Sequence, residues 1–347
     1  MFHGSEDPGL STKQALLAYD LNVSSTAESA APSDHGFLTV NDGHRLYWEE
    51  FGAPDGIPAL HLHGGPGGTL GSSGYRHRWD LSRTRLVGFE QRGCGRSTPS
   101  ASNPHVLADD FTTQKFIDDI EALRIYLGIE QWIINGVSWG STLALAYALA
   151  HPNRVRGLVL FAVTTTSQSE IQWITEGVGS IFPEAWDRLS TFAGAHVPHY
   201  RSGTISLVEA YAAMLWSADT DLRDQASDEW ALWEDTHISL GHKEVTRDPR
   251  WNDSEFRHTM TRLTTHFWAN DGFCHPPILE NLGRIQHIPA VFIHGRYDVS
   301  SPVSTAWKLH QGWAHSELII AERDAHGGEE MVQLWTAANL KMINSAS

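Results

Sequence analysis

From residue 37 onward the chain alternates short apolar runs with polar, periodic stretches. Phe37-Leu38-Thr39-Val40 and the run from 44 to 51 flank Asn41-Asp42-Gly43, a turn sequence that predicts an antiparallel hairpin. Residues 59–63, 85–89, 132–137, 158–163, 290–294 and 317–320 then read as buried strands. Helical periodicity lies between several of them, most clearly over 111–127, where Gly128 supplies a stop. A hairpin followed by alternating strand and helix predicts an α/β fold, a mostly parallel sheet with helices on both faces. The alternation lapses between 164 and 284. That stretch reads as helical, with Phe182-Pro183-Glu184-Ala185-Trp186 opening one helix and the run around Trp230 lying in another. An insertion of this size between two sheet strands predicts a cap domain. It holds Trp173, Trp186, Trp216, Trp230, Trp233, Trp251 and Trp268, half of the fourteen tryptophans, a density that suits a pocket roof. Aromatic side chains are first of all core material, so most of these are expected in the insertion's own core. The expected organisation is a flexible arm over 1–34, a core from 35–163 and 285–347, and a helical cap over 164–284.

Composition narrows the function. With 347 residues, 41% hydrophobic and 19% charged, the chain buries enough apolar surface to need no disulfide or metal staple. Its only cysteines, Cys94 and Cys274, form neither a disulfide framework nor a zinc-ligand spacing, and point to a reducing, cytoplasmic setting. A net charge of −16 argues against nucleic acid and anionic membranes as partners and chiefly serves solubility. Residues 1–33 lack a basic start followed by an apolar run, and Leu16-Leu17-Ala18-Tyr19 is too short for a signal or membrane helix. Nothing in the pattern sets an oligomeric state.

Chemistry enters at Gly136-Val137-Ser138-Trp139-Gly140, a nucleophile-elbow pattern. Alone it is a weak signal, but here it follows a strand and precedes the good helix former Ser141-Thr142-Leu143-Ala144-Leu145-Ala146. An elbow serine needs an acid and then a histidine further along the chain. Asp298 closes the strand-derived run Val291 through Tyr297, and His326 follows the last strand in Asp324-Ala325-His326-Gly327-Gly328. An aspartate after a strand also caps turns, and most of the twenty histidines must lie at the surface. Strand placement and chain order together favour Ser138, Asp298 and His326 as a triad. His63-Gly64-Gly65-Pro66-Gly67-Gly68 ends an early strand, and the N–H groups of Gly65 and Trp139 are the expected oxyanion donors. The loop lacks a P-loop lysine and the spaced dinucleotide glycines. His61 and His63 share a strand face, but no acid–histidine cluster joins them, so neither metal nor cofactor is expected.

These motifs taken together resemble the prolyl aminopeptidase (proline iminopeptidase) family: HGGPGG at 63–68, QRGCGRS at 91–97, GVSWGSTLALAYA at 136–148 and HGRYD at 294–298. IFPEAW at 181–186 and WALWE at 230–234 extend the likeness into the insertion, and it runs from about Gly36 to the C-terminus. The resemblance implies an α/β-hydrolase fold and a cofactor-free serine exopeptidase whose cap grips the amino end of a small peptide or aminoacyl substrate. It implies that Glu234 binds the substrate's α-amino group, with Trp230 and Trp233 beside it. The chain departs from the family at four places. Thr264 stands where a second cap glutamate is usual, and Thr164-Thr165-Thr166 where an aromatic commonly meets the proline ring. The acid before Gln91-Arg92-Gly93 is Glu90 where the family has aspartate, and His326 sits in DAHGG rather than AGHS. With Thr164 and Thr264 in the substrate site, the expected substrate is an N-terminal proline or small apolar residue on a short peptide, amide or arylamide. The alternative is an esterase or amidase of the same fold acting on non-peptide acyl groups. A ligand-binding receptor on a retired hydrolase scaffold would have no need of the intact triad.

Overall fold

The computed structural model describes residues 31–71, 74–201, 203–240 and 247–346. Its centre is an eight-stranded sheet of β1 (Asp34–Thr39), β2 (Arg45–Gly52), β3 (Ile57–Leu62), β4 (Thr84–Phe89), β5 (Trp132–Val137), β6 (Val155–Phe161), β7 (Ala290–Gly295) and β8 (Ser316–Ala321). The spatial order is β1-β2-β4-β3-β5-β6-β7-β8. The β1–β2 hairpin and the β2–β4 pair are antiparallel, and every other pairing is parallel. Each sequence-predicted strand is present, shifted by three residues or fewer at either end.

The central strands are apolar on both faces because both faces are covered. Leu60, Ile134, Leu160 and Phe292 enter one core, with α1 (Thr113–Tyr126) and α2 (Trp139–Ala150). Their neighbours Ala59, Ile133, Val159 and Val291 point to the opposite face and meet α10 (Glu329–Ala346) through Leu334, Trp335 and Ala338. The period-2 alternation of a strand thus assigns each residue to one of two cores.

No strand interrupts the chain between β6 and β7 among the described residues. That length carries α3 (Gln168–Thr175), α4 (Pro183–His196), α5 (Pro198–Arg201), α6 (Leu207–Leu215), α7 (Thr220–Ile238) and α8 (Ser254–Ala269). Pro183 occupies the first turn of α4, where its missing N–H costs nothing. The insertion has a core of its own around Leu189, Leu207, Tyr211, Trp230 and Trp233. The helix α9 (Val303–Gln311) joins β7 to β8. Residues 1–30 of the arm expected over 1–34 lie outside the described residues, and Asp34 opens β1. No described helix is long and apolar enough to cross a membrane.

Candidate active site

The strand order reverses around β3, so the loops after β3 and β5 emerge side by side at the carboxyl edge of the sheet, where open α/β sheets bind ligands. Ser138 sits between β5 and α2 with φ 54° and ψ −121°, a conformation that a residue with a side chain adopts only under constraint. The constraint is close packing. A Cβ on Gly136 would collide with the carbonyl of Gly140, and one on Gly140 with that of Leu62. The two flanking glycines let the turn close and lift the hydroxyl clear of the sheet.

Two loops from the far side of the sheet meet this serine. Ser138 Oγ lies 3.0 Å from His326 Nε2, and His326 Nδ1–H donates to Asp298 Oδ2 at 2.9 Å. Asp298 is buried, and its Oδ1 accepts the Ser301 N–H at 2.9 Å. His294, which opens the HGRYD motif but is given no role from sequence, secures this loop: its Nδ1 accepts the Val163 N–H at 3.0 Å, leaving Nε2–H to donate to the Ser301 carbonyl at 2.5 Å. Burial opposes charge on Asp298. The His326 charge and hydrogen bond, His294 and the Ser301 N–H outweigh it and hold the carboxyl below its ordinary range. Burial likewise opposes a proton on His326, but the charge and hydrogen bond of Asp298, with Glu234 adding to them, hold the imidazole above its ordinary value of 6.5.

Gly64 lies against the serine, its virtual Cβ 3.3 Å from Ser138 Cβ, and Gly65 adopts φ +125°. Among the described residues, neither the Gly65 nor the Trp139 backbone N–H donates to a backbone acceptor. Both residues line the cavity beside Ser138. Gln91 ties their two segments together. Its Nε2 donates to the His63 carbonyl at 3.0 Å, and its Oε1 accepts the Trp139 indole N–H at 3.1 Å. Its backbone N–H donates to His63 Nε2 at 3.1 Å, which leaves His63 Nδ1–H to donate to the Gly64 carbonyl at 2.9 Å. Both ring nitrogens of His63 are therefore spent on loop geometry.

The cavity above Ser138 has a volume of about 430 Å³. Its floor is the carboxyl edge of the sheet, and its roof comes from α3, α7, Arg250, and α8 through Met260 and Trp268. Glu234 lies on this roof, buried, with Oε1 accepting the Trp230 indole N–H at 3.0 Å. Thr164 also lines the cavity, and its hydroxyl donates to Glu170 at 3.0 Å. Three expected contacts need correction. Trp230 and Trp233 are fully buried in the insertion's core and do not line the cavity: Trp230 supports Glu234 from behind, and the aromatic of this region that reaches the cavity is Trp268. Thr264 is also buried away from the cavity, its hydroxyl donating to the Pro66 carbonyl at 3.1 Å, so it anchors the glycine loop to α8. Among the described residues no group of three His, Cys, Asp or Glu side chains is placed to hold a metal ion.

A mostly parallel sheet of this order, with serine, aspartate and histidine on the carboxyl-edge loops after β5, β7 and β8, defines an α/β hydrolase. The sequence pattern of the α/β-hydrolase fold family matches residues 60–328. A probable proline iminopeptidase of Streptomyces coelicolor is 39% identical over 300 residues, 85% of this chain and 90% of its own. The proline iminopeptidase of Arabidopsis thaliana is 38% identical over 86% of this chain and 76% of its own. The crystal structure of proline iminopeptidase from Mycobacterium smegmatis superimposes with a TM-score of 0.60, covering 90% of this chain and all of that one; at 19% identity it speaks for the fold alone. The chain belongs to the proline iminopeptidase family.

Proposed function

We propose that the protein is a serine exopeptidase that releases an N-terminal proline or small apolar residue from short peptides, amides or arylamides. The observation that carries this reading is the placement of Glu234, a buried carboxylate on the roof of the same cavity that holds Ser138. A carboxylate in such a place favours a cation, and the cation that every substrate cleaved after its N-terminal residue presents near the scissile bond is the terminal amine. In this mechanism Ser138 attacks the carbonyl while His326 takes its proton, and Asp298 holds the imidazole with Nε2 free to accept. The N–H groups of Gly65 and Trp139 stabilise the oxyanion, each worth about 10²-fold or more in turnover. His326 then protonates the leaving amine, and water, activated by the same imidazole, hydrolyses the acyl-enzyme. The helical insertion acts as a cap that positions the amino end. Two free cysteines suit a cytoplasmic setting.

The test compares prolyl and alanyl arylamides with simple acyl esters. Glu234→Gln keeps the shape and removes the charge, so KM for aminoacyl substrates should rise about tenfold or more, the size of a hydrogen bond to a charged group, with a smaller change in kcat. An equal response of acyl esters and aminoacyl arylamides would favour the esterase or amidase reading instead.

The pH profile carries an independent check. His326 must be neutral to accept a proton, so kcat/KM should fall on the acid side around the free enzyme's imidazole pKa, above the ordinary 6.5. Because Glu234 is one of the charges raising it, Glu234→Gln should move this acid limb to lower pH. A limb that stays in place in the variant would show that the two groups are not electrically coupled.

A further inference from the structure

His237 lies one helical turn beyond Glu234 on α7, lines the same cavity and is only 2% exposed. Its Nδ1 is 2.7 Å from the Ser300 hydroxyl, on the loop that follows Asp298. Among the described residues its Nε2 has no hydrogen-bond partner, and it lies 3.4 Å from Glu234 Oε2. The other oxygen of Glu234 is already engaged by the Trp230 indole.

We propose that His237 Nε2 and Glu234 Oε2 form a two-acceptor cradle for the substrate's terminal amine, with His237 as a specificity-determining residue. The inference rests on the exopeptidase reading and adds a second ligand to it. With its proton on Nδ1, donated to Ser300, the imidazole presents a bare lone pair beside a carboxylate. Two buried acceptors 3.4 Å apart repel unless a donor bridges them, and leaving either unpaired is costly. A protonated N-terminal proline carries two N–H groups, one for each acceptor. A primary ammonium fills the same pair with one N–H to spare, so proline suits the cradle while alanine still fits it. Thr264 cannot serve as the second ligand, because its hydroxyl is committed to the Pro66 carbonyl and lies outside the cavity. His237 supplies the missing acceptor from α7 instead of α8, and as a neutral one it asks for a cation less strongly than a second carboxylate would.

Three substitutions separate this role from a structural one. His237→Ala removes both ring nitrogens. His237→Asn keeps a polar atom near the position of Nδ1, facing Ser300, and deletes the acceptor at Nε2. His237→Gln places an amide oxygen near Nε2 and gives up the Ser300 bond. Rates for prolyl arylamide and for an acyl ester of the same leaving group are measured per competent site, titrated with an organophosphonate. The Ala and Asn variants should raise KM for the prolyl substrate about tenfold, lowering the ratio of aminoacyl to acyl specificity, with kcat much less affected. The Gln variant should recover most of that loss. Unchanged KM in the Ala and Asn variants would overturn the proposal, as would a Gln variant no better than Asn, which would assign the effect to Ser300. Glu234→Gln run alongside distinguishes the two levels. A loss there with none at His237 removes only the second ligand, whereas no loss at either position, or no cleavage of prolyl substrates by the unaltered protein, removes the amine-binding reading as well.

Discussion

Replacing Ser138 by alanine should abolish turnover to within a small residue, a loss on the order of 10⁴-fold or more, without destabilising the fold. The side chain contributes one hydroxyl, whose partner is His326 Nε2 at 3.0 Å, and no other group near the carbonyl site is a comparable nucleophile. Thr164 and Thr166 also line the cavity, but Thr164 donates to Glu170, and the Thr166 hydroxyl is 2.8 Å from that of Thr142. Alanine keeps the Cβ, so the strained backbone at φ 54° is unaltered and neither relieved nor worsened. The free N–H groups of Gly65 and Trp139 remain, which accounts for a residual rate above the uncatalysed reaction. An organophosphonate should label Ser138 in the unaltered protein and leave the variant unlabelled. Activity within tenfold of the original would remove Ser138 from the mechanism.

The fold was legible because its signals are local. A parallel strand buried on both faces is apolar at nearly every position, so runs such as Trp132 to Val137, broken only by Asn135 and Gly136, stand out against the helices around them. The elbow was legible for a steric reason that only small residues satisfy, and Asp298 and His326 by their places after β7 and β8. What stayed hidden depends on how helices are rotated and which distant loops meet. Trp230, Trp233, Glu234 and His237 all lie on α7 within eight residues, but only the last two line the cavity, while Trp230 meets Tyr211 of α6 and Trp268 of α8, and Trp233 is buried in the insertion's core. No composition rule distinguishes Trp268 from Trp233. The i,i+3 spacing of Glu234 and His237 was visible, but its meaning needed the face on which Glu234 lies. Gln91 stood in plain view within QRGCGRS, yet its partners are His63 and Trp139, 28 and 48 residues away, and sequence carries no sign of such a bridge. Thr264 was misplaced for the same reason, since its neighbour across the fold is the Pro66 carbonyl.

The second large effect is expected at Asp298, where asparagine should lower kcat by about 10⁴-fold while barely changing shape. The direction follows from what each carboxylate oxygen accepts. Oδ1 takes the Ser301 N–H at 2.9 Å and Oδ2 takes His326 Nδ1–H at 2.9 Å, so both are acceptors facing donors. Asparagine can satisfy one of these with its carbonyl and must turn its NH₂ toward the other. Turned to Ser301 it would set two donors against each other in a buried site, because the backbone N–H cannot give up its proton. The NH₂ therefore faces His326, whose Nδ1 becomes the acceptor and whose proton moves to Nε2. That nitrogen then has no lone pair for the Ser138 hydroxyl, and the base is lost through its tautomer rather than its position. The substitution also removes the largest charge holding the imidazole above 6.5, so the acid limb of the remaining activity should shift to lower pH. KM should stay close to its original value, because Asp298 is buried behind His326 and does not line the cavity. A variant that kept kcat within tenfold, or lost it with the acid limb unmoved, would show that Asp298 is not the group that orients His326.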